Sequence, residues 1–554
     1  MASFAGMIIK SNDPGTAKGR VGAGLQAHRQ PWWPLVLVLA APSVYFFCCF
    51  PPLWRDSDGF FQLASGINEI TIIHWPPLYC LTARVFLLMG ALIEGVLHGM
   101  PGRFHWSFGK PTFTDTGIYV LLAVQHLALI TSLVITVVTL TERFRVRLAL
   151  AAGFALNSSW YAFAHCVGTE AFSNPLTLLV FAAGVTVFRK PNRSAYAGYA
   201  LALGGAALSR PINSVLAGLV PGALLLAAGV HWIIPHHRRT GNGRPAVALF
   251  RQAVICTTVG MLTIVATGLL IHGLCWVKRV PYRSRIGYTF MWRLNYLAGL
   301  TPAQRTEALQ RVDGKLHDPI TARALAAATG ALDQNPDWDT HPLYYGISDA
   351  LRQQGIDRQR TLNLETDQRL NRLARAFLLP PGPALQAAIV HDFLAGFRFT
   401  PADVSAEPFR GTDWLQARLD LPSFAPIRPL ATFKDKPSHE AQWRAGPYLR
   451  LWAWLPLWAL GSAALAIGTF LICRRTKGAR PDPGFLVVAS VITGAVLYFL
   501  NCSLTFLAAR FLLPVEILFW CGLSLALASL FEMPRTPPAE KRRHPADRPG
   551  NGLP

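Results

Sequence analysis

Apolar runs of about 20 residues alternate with short basic clusters along most of the chain. A run of this length is what a helix needs to cross the hydrocarbon of a bilayer. Such runs fall at approximately 32–50, 117–140, 148–167, 172–188, 195–209, 212–230, 252–276, 451–473, 484–505 and 509–531. In hydrocarbon no water satisfies backbone N–H and C=O groups, so uncharged spans of this kind must be helical. The pattern predicts an all-α polytopic membrane protein with about ten transmembrane helices.

The polar positions between the runs set the topology. With the N-terminus cytoplasmic, the inside segments hold Lys10, Lys18, Arg20 and Arg29, then Arg143, Arg145 and Arg147, then Arg189, Lys190 and Arg193. They continue with Arg238, Arg239 and Arg244, with Arg474, Arg475, Lys477 and Arg480, and with Lys541, Arg542, Arg543 and Arg548. The outside turns at 168–171 and 210–211 carry no such clusters. Short loops rich in Lys and Arg stay on the cytoplasmic side. The expectation is therefore a multi-pass protein of the cell (inner) membrane, with both termini cytoplasmic. Residues 76–97 are long enough to span, but counting them would put a basic series on the wrong side, and Arg84 and Glu94 interrupt them. They read as a helix lying along the outer interface.

This divides the chain into a cytoplasmic tail (1–31), a transmembrane core (32–276) with a first outer loop (51–116), a large extracytoplasmic segment (277–450), C-terminal transmembrane helices (451–531) and a basic tail (532–554). The 277–450 segment contains amphipathic stretches such as ALQRVDGKLHDPITARALAAA and reads as mostly helical. The tail is Pro- and Arg-rich and reads as disordered.

Composition agrees with a bilayer as solvent. Of 554 residues, 52% are hydrophobic and 15% charged, against about 25% charged in soluble domains. The 32 Phe and 16 Trp suit lipid contact and interface anchoring. The net charge of +22 follows topology rather than one basic face, which argues against nucleic-acid binding. The nine Cys are scattered and absent from 277–450, so no disulfide framework or Cys-based metal site is indicated.

Ionisable residues gather at the outer ends of the runs: Asp56 and Asp58 in LWRDSDGFFQLA, His74 in HWPPLY, Glu170 in VGTEAFSNPL, Arg210 in ALSRPINS and Arg510 in LAARFLLPVE. Each also has a plain reading. Asp58 is placed to cap a helix from Gly59, Glu170 to meet the positive end of the helix that follows it, Arg210 and Arg510 to snorkel to headgroups, and His74 to hydrogen-bond at the interface. Together they describe a polar cavity on one membrane face, where charges are costly unless paired or in use. Arginine suits phosphate, and a carboxylate near hydrocarbon suits a hydroxyl proton or a metal ion.

These residues also carry a resemblance. An acidic motif after the first helix (RDSDGFFQLA, 55–64), a PPLY element (76–79) ending in Tyr79, Glu170 in the second outer turn and ARFLLPVEI (509–517) occur in an order that resembles the GT-C superfamily of integral membrane glycosyltransferases. The resemblance lies near the protein mannosyltransferase and aminoarabinose transferase branch. It implies that Asp56 or Asp58 is the catalytic base, and that Glu170 orders the acceptor, the sugar or, in some branches, a metal. It implies that Arg210 and Arg510 hold the lipid phosphate, with His74 and Tyr79 as further substrate-binding positions. The chain departs from that branch in reading RDSD in place of an adjacent Asp-Glu pair, in lacking MIR-type repeats, and in placing its large outer segment between the seventh and eighth helices.

The expected activity is inverting transfer of a sugar from a polyprenyl-phosphate donor to a lipid, glycan or protein acceptor hydroxyl. Membrane lipids are partners and nucleic acid is not. The sequence requires no cofactor, and a divalent cation is compatible with its carboxylates. Two other readings stand beside it. A transporter or flippase would place charges near mid-membrane and interrupted helices in matching halves; a non-catalytic scaffold would leave the acids dispensable.

Overall fold

The computed structural model describes residues 31–55, 77–97, 113–233, 244–282, 284–333, 341–430, 433, 438–475 and 482–532. Asp56, Asp58 and His74 lie outside the described residues, as does the 533–554 tail.

The architecture is almost entirely helical. In chain order the core begins with α1 (Trp33–Cys49), β1 (Leu53–Trp54), α2 (Pro77–Leu97), α3 (Asp115–Leu140), α4 (Phe144–Ala155), α5 (Ser158–Ala164), β2 (Cys166–Val167), α6 (Glu170–Arg189) and α7 (Arg193–Ser209). A 3-10 turn (Pro211–Gly218) then leads into α8 (Leu219–Ile233), and α9 (Arg244–Val277) follows. The 277–450 segment is mostly helical, as expected. It holds α10 (Ile286–Arg293), α11 (Pro302–Leu316), α12 (Pro319–Gly330), α13 (His341–Gln353), α14 (Gln359–Leu378), α15 (Pro383–Gly396), α16 (Pro401–Gln416) and α17 (His439–Ala445). The chain closes with α18 (Leu457–Arg475), α19 (Pro483–Leu504), a 3-10 turn (Ala509–Leu512) and α20 (Leu513–Glu532).

Among the described residues, eight helical stretches are long and apolar enough to cross a membrane. The expected ten differ from these in three ways. First, 148–167 is not one span, because it breaks between α4 and α5. Asn157 adopts an extended backbone and its side chain accepts from Ser159 N–H, a local alternative to the helical bond that favours Asn at caps. The carbonyls released at the break are taken by Tyr448 Oη–H (to Ala155, 2.7 Å) and Trp452 Nε1–H (to Leu156, 2.9 Å). Glu516, buried in the first turn of α20, accepts from Asn157 Nδ2 (2.5 Å) and Ser159 Oγ (2.7 Å). Second, α1 and α7 have 17 residues each. Third, α2, expected to lie along the outer interface, has span length and composition. It pairs with the first half of α3, so closely that a Cβ on Gly90 would lie within 3 Å of the Gly117 backbone.

Helix starts follow from capping side chains. Thr114 accepts from Gly117 N–H (3.0 Å), Asn192 from Ala195 N–H (2.8 Å) and Asp482 from Gly484 N–H (2.7 Å), each satisfying a donor that the helix leaves open. The core between helices is apolar, with Leu39, Phe46, Leu129, Phe163, Phe181 and Leu518 fully enclosed. Of α6's apolar window 78% is buried, against 11% of α9's. One is therefore a central helix and the other a peripheral helix with an apolar, lipid-suited surface.

The described core has two distinct ends, joined by α6, whose 20 residues rise about 30 Å. At one end Arg189 donates to Thr139 O (2.7 Å) and Leu140 O (2.9 Å), while Thr141 Oγ–H donates to Glu532 (2.7 Å). The C-terminal ends of α3, α6 and α20 therefore meet there. At the other end lies Glu170.

Candidate functional site

The site is assembled on a two-residue parallel strand pair. Leu53 lies opposite Cys166 and Trp54 opposite Val167. Leu53 N–H donates to His165 O (3.1 Å) and Arg55 N–H to Val167 O (3.2 Å). The pairing brings Arg55 against Gly168, where a side chain would intrude. A Cβ there would sit 3.0 Å from Arg55 Cβ and 3.3 Å from Glu170 Oε2.

Glu170, the first residue of α6, is fully buried. Its Oε1 is 3.3 Å from Arg55 Nε and 3.4 Å from Arg210 Nη1, and its Oε2 accepts from Thr169 Oγ–H at 3.3 Å. Arg210 ends α7 in extended backbone, where Pro211 prevents the helix from continuing. Arg510 completes the group. Its guanidinium lies 5.2 Å from the Phe511 ring, which Arg210 approaches to 5.9 Å. Its charge acts on both Glu170 and Arg210. Burial pushes the Arg210 pKa down, Glu170 resists, and the Arg55 and Arg510 guanidiniums push it down further. The Arg55 and Arg210 side chains keep 10% and 13% exposure, so the cluster sits at the edge of the packed interior rather than sealed within it. Among the described residues, three guanidiniums gather around one carboxylate, a charge arrangement that favours an arriving anion.

The structure thus brings together Glu170, Arg210 and Arg510, three of the residues singled out from sequence. Tyr79 is also present, but its hydroxyl is used within the protein. It accepts from Gly168 N–H (2.9 Å) and donates to Gln125 Oε1 (3.3 Å). Gln125 Nε2 in turn donates to Ala164 O (2.9 Å) and Cys166 O (3.0 Å). The Tyr79 hydroxyl and Gln125 thereby hold the backbone of 164–168 in place.

Below the strand pair a histidine chain holds the approach to β1. His165 Nε2 faces Phe50 O (3.2 Å), His165 Nδ1 faces His126 Nε2 (3.2 Å), and His126 Nδ1 faces Ser43 Oγ (2.9 Å). A carbonyl only accepts, so His165 donates from Nε2, His126 donates to His165 Nδ1, and the Ser43 hydroxyl donates to His126.

Sequence reasoning missed Arg55, Gln125 and Gly168. Arg55 stands inside the RDSD motif, one residue before Asp56, and its basic charge beside the acids was the available signal. Gly168 left none, because a two-residue strand has no readable period, while Gln125 interrupts the apolar run 117–140, and its polar side chain there was the available signal. A divalent cation at Glu170 would face three guanidiniums, so the described residues do not fit a metal at that carboxylate. Among the described residues no three His, Cys, Asp or Glu side chains gather as a metal site. Compared with known proteins, the chain matches no family model and no curated protein.

Proposed function

We propose that the chain is a membrane glycosyltransferase that uses a polyprenyl-phosphate sugar as donor. The observation that carries the reading is the convergence of Arg55, Arg210 and Arg510 on Glu170 at one end of a helical membrane core. That end corresponds to the outer face in the topology expected from the basic clusters.

In this reading Arg210 and Arg510 hold the donor phosphate. An acceptor hydroxyl attacks the anomeric carbon in line, its proton passes to Asp56 or Asp58, and the bond from that carbon to the phosphate oxygen breaks with inversion. Polyprenyl phosphate leaves with the bonding pair. Fixed guanidiniums beside the oxygen that gains charge stabilise the transition state without reorganising, which is the larger source of rate; holding the two substrates together supplies the rest. Glu170 keeps the arginines in place.

The test is release of free polyprenyl phosphate, measured by mass spectrometry. Purified protein is given a panel of polyprenyl-phosphate sugars together with a lipid and glycan extract of the source cell. Release that needs the extract and is abolished in the Asp56→Asn, Asp58→Asn double variant supports the reading. Unchanged release in that variant removes the assigned base, and solute counterflow without a covalent product favours a transporter.

A further inference from the structure

We propose that Arg55 is a third anion-holding guanidinium of this site, and that Thr412 of the large outer segment is the residue that positions it. The proposal rests on the anion-site reading above and gives the 277–450 segment a role in it.

The argument starts from the two edges of β1. Along a strand, successive N–H groups point to opposite edges. Leu53 and Arg55 donate toward β2, so Trp54 N–H points the other way. There it meets Thr412 Oγ1 at 2.7 Å, on α16. The Thr412 hydroxyl hydrogen is itself directed to Pro408 O (2.7 Å), leaving its oxygen to accept. Thr412 and Trp54 are both fully buried, where a lost hydrogen bond leaves the backbone N–H uncompensated. The same helix reaches the chain just before β1, where the Phe409 and Phe50 rings lie 5.2 Å apart, edge to face. Phe433, also of the outer segment, lies 6.3 Å from the Trp54 ring.

A two-residue strand pair is too short to hold itself in register. β1 keeps its place because β2 holds one edge and Thr412 the other. Arg55 is the next residue, and a shift of β1 moves it off Glu170. Arg55 Nε and Arg210 Nη1 address the same oxygen, Glu170 Oε1. Glu170 therefore orients both guanidiniums side by side, the arrangement in which two forks engage one phosphate group. The outer segment thus completes the site from above, by fixing the strand that delivers its third arginine.

The experiment uses the full chain in lipid nanodiscs with farnesyl phosphate as probe and inorganic phosphate as a second arm, read by native mass spectrometry. Arg55→Gln is expected to weaken farnesyl phosphate binding about tenfold or more. Thr412→Val, which keeps the shape and removes the hydroxyl, is expected to weaken it about tenfold, and Thr412→Ser to stay within about twofold of wild type. Hydrogen exchange of 53–55 and 166–170 should quicken in Thr412→Val and not in Arg55→Gln. Equal binding of inorganic phosphate would assign the site to the free anion rather than to a lipid headgroup.

Wild-type binding by Thr412→Val beside a weakened Arg55→Gln would overturn the positioning role, as would a Thr412→Ser variant as weak as Thr412→Val. Absence of binding of either probe by the wild type would overturn the anion site itself. The exchange data would then still decide whether Thr412 holds β1.

Discussion

The two ends of α6 use the same residue types for different work. At the Arg189 end, guanidiniums meet backbone: Arg189 bonds the last carbonyls of α3, and Arg147 Nε–H donates to Thr141 O at 2.7 Å. Helix C-termini leave carbonyls without partners, and basic side chains there satisfy them and complement the helix dipole. Such arginines are consumed by the fold. At the Glu170 end, among the described residues, guanidiniums meet a buried carboxylate and one another rather than helix-end carbonyls. An arginine at a helix end is therefore informative only through what it faces.

The sharpest way to break this comparison is to remove the carboxylate from each end. Glu170→Ala removes the buried carboxylate that faces Arg55 and Arg210 and should cost about 3–5 kcal/mol of stability. Added phosphate should restore part of the loss. Glu532→Ala at the other end removes an acid that bonds Thr141 near the surface and should cost no more than about 1 kcal/mol. Thermal unfolding of both variants, with and without phosphate, checks this. Equal losses, or no rescue by phosphate, would mean that the two ends are alike.

Arginine substitutions sharpen the same contrast through activity. Arg210→Gln and Arg510→Gln should each lower sugar transfer by about 10²–10³-fold, the scale seen when one transition-state donor is removed, while the folded yield is kept. Arg189→Gln should leave the transfer rate per folded molecule unchanged and lower stability by about 1 kcal/mol. Steady-state rates normalised to folded protein decide it.

A third contrast lies between broken and continuous helices. Asn157→Ala removes both the cap on Ser159 N–H and a donor to buried Glu516, and should destabilise by about 1–3 kcal/mol. Thr114→Ala removes only a helix cap and should cost about 1 kcal/mol. Chemical denaturation in mixed micelles would rank them, and the reverse order would contradict the role given to the break.

What the sequence made legible follows from the range of each interaction. Span-length apolar runs report a bulk solvent, so the membrane class and the positions of α3, α6, α9, α18, α19 and α20 could be read directly. The Asn-Ser-Ser at 157–159 hides the α4–α5 break, because small polar residues look harmless inside an apolar run until partners such as Glu516, Tyr448 and Trp452 are known. In the site, Glu170, Arg210 and Arg510 were found because a charge beside hydrocarbon demands a reason. Arg55 looked like part of an acidic motif, and its meeting with Glu170 depends on the pairing of β1 with β2, more than a hundred residues apart in the chain. Thr412 was invisible for the same reason.

The smallest expected effect separates the 277–450 segment from the membrane core by pH. In the 277–450 segment, burial raises the Asp413 carboxyl, but the backbone N–H groups of Glu440 and His439 and the His439 side chain outweigh it and hold the pKa below the ordinary value. Asp318 behaves alike, with Thr321 and Arg369 bonds outweighing burial. A carboxyl whose pKa is depressed by folding stabilises the folded state above its unfolded value, about 3.9 for Asp, and that contribution is lost as pH falls through the folded value. The helices of the 277–450 segment should therefore loosen first on acidification below about pH 4, seen as faster hydrogen exchange in 401–416 and 438–445 than in α6. Asp413→Asn should already exchange faster at neutral pH and show a flatter pH dependence. Acid loosening that is identical in the variant would assign the transition to other groups, and the 277–450 segment would then have no pH-dependent hold on the helix that carries Thr412.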